Sequence, residues 1–195
     1  MTIFNAMVST PEQLDRLLRD HLTQERLAHS RRVAGLAAEL CAEYALEREK
    51  GELAGLAHDW ARELPPEQLR ELGLRDGLGQ SPLETRYPVL LHGRAAAEGL
   101  REILGIEDRE ILEAVACHVT GCPGMGMLAK IVFTADFLEP GRLFLPEEDR
   151  REILSMDIDR MTLRVLKEIF AYLRLKNRPI ARPALELSEE LHGSW

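Results

Sequence analysis

Residues 53–65 read LAGLAHDWARELP, and the dipeptide His58-Asp59 at their centre organises the interpretation of the whole chain. An imidazole and a carboxylate side by side in an otherwise apolar helix are costly to bury unless something pairs with them. A divalent metal ion is the partner that these two residue types suggest. Four other places in the chain supply residues of the same kind.

Apolar residues recur at steps of three and four along most of the chain, which is the period of an amphipathic helix, and no segment alternates like a strand. The segment Thr10-Pro11-Glu12-Gln13 predicts a capping box that starts the first helix. The longer predicted helices cover residues 24–44, 47–64, 92–104, 108–119, 125–138 and 157–176. The sequence therefore predicts an all-α fold in one domain.

The helix predicted over 47–64 carries a strip of small residues beside His58, namely Gly51, Ala54 and Gly55. We expect this strip to leave room around the imidazole.

Composition and charge exclude two classes of binding partner, nucleic acids and membranes. The net charge of −8 over 195 residues argues against a nucleic-acid surface, which is usually basic. No apolar run approaches the roughly 18 residues of a membrane helix, and residues 1–10 (MTIFNAMVST) lack the pattern of a signal peptide. These features predict a cytoplasmic protein with no membrane partner.

The three cysteines are too few, and odd in number, for a disulfide framework, which fits a reducing compartment. Cys117 and Cys122 match no zinc-binding spacing, so we interpret them as small buried hydrophobes. Trp60 could stack on an adenine, but its spacing with neighbouring leucines favours a place in the core.

Histidines on predicted inward faces are the strongest chemical signal. His21 and His192 lie in polar surroundings, whereas the other four share inward faces with two aspartates: His29, His58, His92, His118, Asp59 and Asp136. A single inward histidine is usually a core residue bonded to a backbone carbonyl. Four together with two carboxylates, and without an equal stock of inward Lys or Arg, favour a bound cation.

Nitrogen and oxygen ligands without thiolate suit Fe, Mn, Co, Ni or Zn. Six ligands exceed what one tetrahedral ion needs and fit two ions about 3.5–4 Å apart, which share a carboxylate and a hydroxide. Such a pair activates water for attack on a phosphate.

The order of these residues on helices resembles the HD-domain metal-dependent phosphohydrolases. The segments LAHSRRVA (27–34), AGLAHDWARELP (54–65), CHVTG (117–121) and LAKIVFTADFLEPGR (128–142), together with His92, are similar to the YqeK-type symmetrical diadenosine tetraphosphate hydrolases. The resemblance covers about residues 29–144. It implies an HD-domain helical bundle over residues 1–195, with a core at about 24–144 and C-terminal helices at 147–191 packing on it.

The resemblance also implies roles for individual residues. His29, His58, Asp59 and Asp136 correspond to the common metal ligands, with Asp59 bridging two ions, and His92 and His118 complete the second metal position. Iron is the metal implied, and the reaction is hydrolysis of the tetraphosphate at its centre to two ADP molecules.

Nearby cations and a loop are candidates for substrate binding. Arg62 stands where the family usually carries Lys, and Val119 where a second Thr often occurs. Asp59 and Arg62 are the candidate catalytic residues. Phosphate-binding candidates are Arg62, Thr120, Gly121, Lys130 and Arg142, with Arg94 as a weaker candidate.

Three alternatives stay open at this point. The chain could act on another nucleotide as an HD-type nucleotidase or phosphodiesterase. It could bind metal and nucleotide as a regulator without turnover, or it could be a structural bundle with buried polar residues. A homodimer is compatible with the sequence, although no coiled-coil seam argues for one.

Overall fold

The computed structural model describes residues 8–193, which form α-helices joined by short turns and contain no β-strand. Residues 1–7, on which part of the signal-peptide prediction rests, lie outside the described residues. The all-α prediction is confirmed. The helices are α1 Pro11–His21, α2 Gln24–Glu43, α3 Arg48–Ala57, α4 Pro66–Gly73, α5 Pro82–Arg86, α6 His92–Leu104, α7 Arg109–Cys117, α8 Met127–Leu138, α9 Glu147–Leu154, α10 Ile158–Leu175 and α11 Arg182–Gly193, with a 3₁₀ turn at Pro88–Leu91 before α6.

Side-chain caps set several of the helix starts. Thr10 and Gln13 form the predicted capping box at α1. Asp108 accepts hydrogen bonds from two backbone N–H groups at the start of α7, and Asp157 caps α10 by accepting from the Arg160 N–H. Each cap satisfies N–H groups that have no partner inside the helix, which fixes where the helix begins.

The helix predicted over 47–64 is wrong in its second half, because α3 ends at Ala57. From Ala57 to Leu64 the backbone makes tight i→i+3 hydrogen bonds instead, for example from Trp60 N–H to the Ala57 carbonyl and from Arg62 N–H to the Asp59 carbonyl. In a regular α-helix consecutive side chains do not face the same neighbour. The tighter turns let His58 and Asp59 enter the same interior.

Helices α2 and α3 form a close antiparallel pair, and the small residues of α3 serve this contact. A Cβ on Gly55 would lie 2.6 Å from Ala34 Cα, and one on Gly51 would lie 2.7 Å from the Ala37 carbonyl oxygen. The expectation that this strip leaves room around the imidazole is therefore wrong. The backbone of α2 fills the space, and His58 is fully buried.

The core lies between these two helices and α6, α7, α8 and α10. Helix α10 packs on α8, and α11 packs on α10. The largest fully buried side chains of the core are Leu14, Leu18, Leu40, Leu91, Leu100, Ile131, Leu138, Ile153, Met161, Leu166, Leu187 and Leu191. Trp60 is also buried, as its spacing predicts, and stacks on His21. None of the helices within residues 8–193 combines the length and apolarity that crossing a bilayer requires.

Candidate metal centre

Six side chains from five parts of the chain converge at the centre of the bundle. His29 lies on α2, His58 and Asp59 follow α3, His92 opens α6, His118 follows α7, and Asp136 lies on α8. Their ligand atoms fall into three overlapping triads, each with all atoms within 4.8 Å of one another: His29–His58–Asp59, His58–His118–Asp136 and Asp59–His92–His118. All are buried except Asp136, which is partly exposed.

Asp59 stands between two pairs of imidazoles. Its Oδ1 lies 3.2 Å from His92 Nε2 and 3.8 Å from His118 Nε2. Its Oδ2 lies 3.5 Å from His58 Nε2 and 3.8 Å from His29 Nε2. The two oxygens therefore face two different pairs of imidazoles, and we call each pair with its carboxylate oxygens a half-site.

Asp136 completes the half-site of His29 and His58. Its Oδ1 lies 3.0 Å from His29 Nε2 and 3.8 Å from His58 Nε2. This half-site thus holds two imidazoles and two carboxylates, and the other half-site holds His92, His118 and the second oxygen of Asp59.

Backbone carbonyls fix the tautomers of three histidines. The Nδ1–H groups of His58, His92 and His118 donate to the carbonyls of Gly55, Val89 and Val115, each three residues upstream, at 2.7, 2.5 and 2.7 Å. In the neutral form this leaves each Nε2 with a lone pair that points into the cluster.

These lone pairs are the observation that tests whether the residues suit a cation. Within residues 8–193, the buried Nε2 of His58 has no hydrogen-bond partner. The Nε2 atoms of His92 and His118 are 2.9 Å apart, so two neutral rings would set lone pair against lone pair. A divalent cation satisfies all of these atoms together, and the donor set fits one.

The surroundings inside the cluster shift the pKa values of its histidines in opposite directions. Burial disfavours a charge on His58, but the adjacent Asp59 outweighs it and raises the pKa of His58 to about 9. Burial lowers the pKa of His92 to about 4, against its hydrogen bond to Asp59. Burial also opposes ionisation of Asp59 and Asp136, yet the surrounding imidazoles hold the pKa of both carboxyls far below the usual range.

A further layer of charged residues supports the cluster and was missed by the sequence analysis. Glu139, only 1% exposed, accepts hydrogen bonds from His29 Nδ1 at 3.1 Å and from Arg32 Nε at 2.5 Å. Burial opposes its ionisation, but these two donors lower the pKa of Glu139 to about 2.

Arginines also reach the two aspartates of the cluster. Arg26 donates to Asp59 Oδ2 at 2.8 Å, and Arg142 donates to Asp136 Oδ1 at 2.5 Å. The argument that inward cations are too few to neutralise the carboxylates is therefore wrong. Arg26 lies one turn before His29 on α2, a spacing that could have revealed it.

A cavity of about 360 Å³ opens onto the cluster. Arginines, aromatic rings and aliphatic side chains line it together with cluster residues: Arg26, Asp59, Arg62, His92, His118, Val119, Phe133, Asp136, Phe137, Arg142, Phe144 and Ile169. A second, mostly apolar cavity of about 210 Å³ adjoins it through the shared residues Val119, Phe133 and Ile169.

The phosphate-binding candidates differ in where the structure places them. Arg62 and Arg142 line the cavity, and Thr120 lines the adjoining one. Lys130 is instead bonded to Asp159 at 2.6 Å and is not among the residues lining the cavity. Arg94 is held by Asp76 and Glu84.

Gly121 follows Thr120 in the chain, lines neither cavity and has its backbone N–H engaged. The N–H group donates to the Cys117 carbonyl at 2.8 Å, which keeps it from pointing at a phosphate.

Cys117 and Cys122 form a disulfide, so the interpretation of both as small buried hydrophobes is wrong. The turn after α7 brings their Cα atoms to 5.5 Å, a separation that a disulfide spans. Cys41 remains an unpaired, buried cysteine.

Comparisons with known proteins agree with this geometry. The family model described as HD domain matches residues 26–164. The chain is 34% identical over 175 residues to a symmetrical bis(5'-nucleosyl)-tetraphosphatase from Halalkalibacterium halodurans, covering 90% of this chain and 93% of that protein. It is 29% identical over 163 residues to the protein of the same name from Bacillus subtilis, covering 84% and 87%.

A solved structure is similar along almost the entire chain. It is a predicted HD superfamily hydrolase involved in NAD metabolism from Clostridium acetobutylicum, at 29% identity and a TM-score of 0.90, covering 97% of this chain and 100% of that one.

Proposed function

We propose, on the premise that this chain belongs to the HD-domain family, that it is a symmetrical dinucleoside tetraphosphate hydrolase that cleaves diadenosine tetraphosphate into two ADP molecules. The curated relatives with this activity in their names are matched over most of their length. The observation that carries the proposal is Asp59, whose two carboxylate oxygens face two separate pairs of imidazoles at the floor of the cavity.

The six cluster residues would hold two divalent ions. His29, His58 and Asp136 would form one half-site, His92 and His118 the other, with Asp59 shared between them. Bound ions of this kind lower the pKa of water and offset the charge of attacking and leaving oxygens in phosphoryl displacement. Iron is the proposed metal, with Mn, Co, Ni and Zn as alternatives that the same donor set accepts.

Arginines around the cavity would bind the polyphosphate. Arg62 makes no ion pair with any residue in 8–193, and its charge helps to lower the pKa of the neighbouring His92. It is therefore available to a phosphate oxygen, and a planar guanidinium suits such an oxygen well. Arg142 and Arg26 would each bind phosphate from their places beside Asp136 and Asp59.

Aromatic and apolar surfaces would receive the two adenosines. Phe144 is 62% exposed, contacts Phe137 edge to face and lines the cavity with it. Bases stack on such rings. The adjoining apolar cavity, reached past Val119 and next to Thr120, would accept the other nucleoside.

Product chromatography tests the reaction. Diadenosine tetraphosphate incubated with iron-loaded or manganese-loaded protein should give ADP alone. A mixture of ATP and AMP would refute symmetrical cleavage, and inorganic phosphate released from a mononucleotide would indicate a nucleotidase. Tight nucleotide binding without any hydrolysis at any metal loading would favour a regulator.

Asp59→Ala is the variant that tests the shared carboxylate, with Asp20→Ala on the exposed side of α1 as its control. We expect Asp59→Ala to lose ADP release with Fe, Mn or Co, and Asp20→Ala to keep it. Undiminished activity in Asp59→Ala would remove this residue from the mechanism.

Metal content and assembly need their own measurements. Elemental analysis of freshly purified protein should give two metal ions per chain, with iron prominent. The organisation as one domain over residues 1–195 and a homodimer are further proposals, which limited proteolysis and light scattering test.

A further inference from the structure

The disulfide between Cys117 and Cys122 closes a short loop at the wall of the proposed active site. Cys117 is the last residue of α7, and His118 of the metal cluster follows it directly. Residues 118–121, which we call the cysteine loop, contribute Val119 to both cavities and Thr120 to the apolar one. The bond thus brackets a cluster residue and the wall between two parts of the substrate cavity.

Few hydrogen bonds hold the cysteine loop, although Val119 also packs against α6, where a Cβ on Gly93 would lie 2.8 Å from Val119 Cγ2. Gly121 adopts a positive φ of 71° and donates its N–H to the Cys117 carbonyl. A Cβ at Gly121 would lie 2.5 Å from Leu187 Cδ2, so the loop packs against α11. His118 is held separately, because its Nδ1–H donates to Val115 inside α7. The disulfide therefore restrains Val119 and Thr120 more than it restrains His118.

We propose that Cys117 and Cys122 are a reversible thiol–disulfide modification site that sets the rigidity of the cysteine loop and, through it, the affinity for substrate. The effect on affinity rests on the proposed function, whereas the redox chemistry of the pair does not. Nothing in the metal cluster requires the two sulfurs, since the cluster consists of nitrogen and oxygen donors.

The difference in exposure between the two cysteines indicates which of them reacts first with an oxidant. Cys122 is partly exposed and Cys117 is only 6% exposed, so a reagent reaches Cys122 first. With a low-molecular-weight disulfide RSSR as oxidant, the Cys122 thiolate attacks one sulfur, forms a mixed disulfide and releases one RSH. The Cys117 thiolate then attacks Cys122 Sγ and releases the second RSH, so that two protein thiols and RSSR give one protein disulfide and two RSH.

The reduced protein should bind substrate less well. Without the cross-link, Val119 and Thr120 must be ordered when substrate binds. Ordering one rotamer-rich side chain costs about a two- to tenfold loss in affinity, and the two β-branched side chains, which have fewer rotamers to lose, should together cost about as much. We therefore expect KM for diadenosine tetraphosphate to rise by that factor on reduction, while kcat and bound metal stay the same.

Glutathione buffers test the proposal on the intact metal-loaded protein. Samples are equilibrated at ratios of reduced to oxidised glutathione from fully reducing to fully oxidising. One portion of each sample is alkylated and its mass is measured by mass spectrometry, and another portion is assayed for KM. The disulfide fraction should follow one transition, and KM should follow it. Cys122→Ser should have the KM of the reduced protein at every ratio, and Cys41→Ala should respond like the wild type.

Hydrogen exchange gives a readout that does not depend on turnover. Backbone amides of residues 119–122 should exchange faster in the reduced protein and in Cys122→Ser. Absence of the disulfide at every ratio, or identical exchange and KM in both states, would overturn the proposal. A clear redox transition and exchange difference in a protein that releases no ADP would support the modification site and refute the substrate assignment instead.

Discussion

Replacing Glu139 by Gln tests whether the layer of residues behind the cluster is needed to position His29. The carboxylate lies at the end of α8, almost fully buried, and accepts from His29 Nδ1, Arg32 Nε and the Gly141 N–H at 3.1, 2.5 and 2.5 Å. Gln keeps the shape but exchanges one accepting oxygen for an NH₂ group. At least one of the three donors then faces another donor.

The expected loss follows from the role of such carboxylates. A partner that orients a metal-binding histidine typically contributes 10- to 100-fold to metal affinity or activity, or about 1.4–2.7 kcal/mol. For Glu139→Gln we expect that loss in affinity at the His29 half-site. Unfolding of the metal-free protein should become easier by about 1.5–3 kcal/mol, the range for hydrogen bonds to a charged group.

The dependence on pH provides a second signature. Although burial opposes ionisation, Arg32 and His29 lower the pKa of Glu139 in the folded protein from 4.5 to about 2. A carboxyl with a lowered folded pKa stabilises the protein above its unfolded pKa and loses that effect as the pH falls. The difference in unfolding free energy between wild type and Glu139→Gln should therefore shrink from about pH 4.5 towards pH 2.

Calorimetric Mn²⁺ titration, urea unfolding and ADP release measure these effects. Glu186→Gln is a matched control, because Glu186 pairs with the 88% exposed side chain of Arg182 on the surface of α11. Exposed ion pairs contribute about 0–1 kcal/mol, so this variant should resemble the wild type. Metal affinity and activity of Glu139→Gln within twofold of the wild type would refute the positioning role.

Packing, thiol and metal effects give further expectations. Gly99→Ala should destabilise the protein by about 1–3 kcal/mol in urea, since its Cβ would collide with Trp60. Gly35→Ala meets nothing within 4 Å and should instead stabilise α2 by about 0.5–1 kcal/mol. Burial raises the pKa of Cys41 to about 11. The fold should therefore be most stable below the ordinary thiol pKa and lose stability as the pH rises through the folded pKa. Because the thiol is buried and protonated at pH 8, Ellman's reagent should detect it only after unfolding. A chelator should lower the unfolding free energy by about 2.7 kcal/mol for each metal site, relative to protein with metal at 100 times the dissociation constant of that site.

Local pattern was sufficient to predict most of the helices and the inward position of His29. Periodicity placed His29 on the buried stripe of α2, and the structure buries it there. These features depend on neighbours within one or two turns, which the sequence displays directly.

Contacts between distant parts of the chain were not predictable in the same way. His29 and Glu139 are 110 positions apart, and Arg26 and Asp59 are 33 apart. Glu139 looks like an ordinary helix-ending residue before Pro140 and Gly141, because nothing near it in the sequence shows that it is buried. The Cys117–Cys122 pairing is local, but it depends on a turn whose direction is set by Gly121 at positive φ.

Three of the four cluster histidines lie at helix ends rather than along helix faces. His58 follows α3, His118 follows α7, and His92 follows the 3₁₀ turn Pro88–Leu91. At the end of a helix the last carbonyls have no N–H partner within the helix. His58 and His118 use such a carbonyl, three residues upstream, as the acceptor for Nδ1–H, and His92 uses the Val89 carbonyl, which also accepts the backbone N–H of His92.

One interaction therefore serves two needs at His58 and His118. There the imidazole satisfies a backbone acceptor that would otherwise be buried without a partner, and at all three histidines the carbonyl fixes the tautomer that turns Nε2 towards the cluster. His29 lies inside α2, where the carbonyls are already bonded, so its Nδ1 needs a side chain from elsewhere and finds Glu139. The placement of three cluster histidines at helix ends thus explains why only His29 takes its Nδ1 partner from a distant side chain.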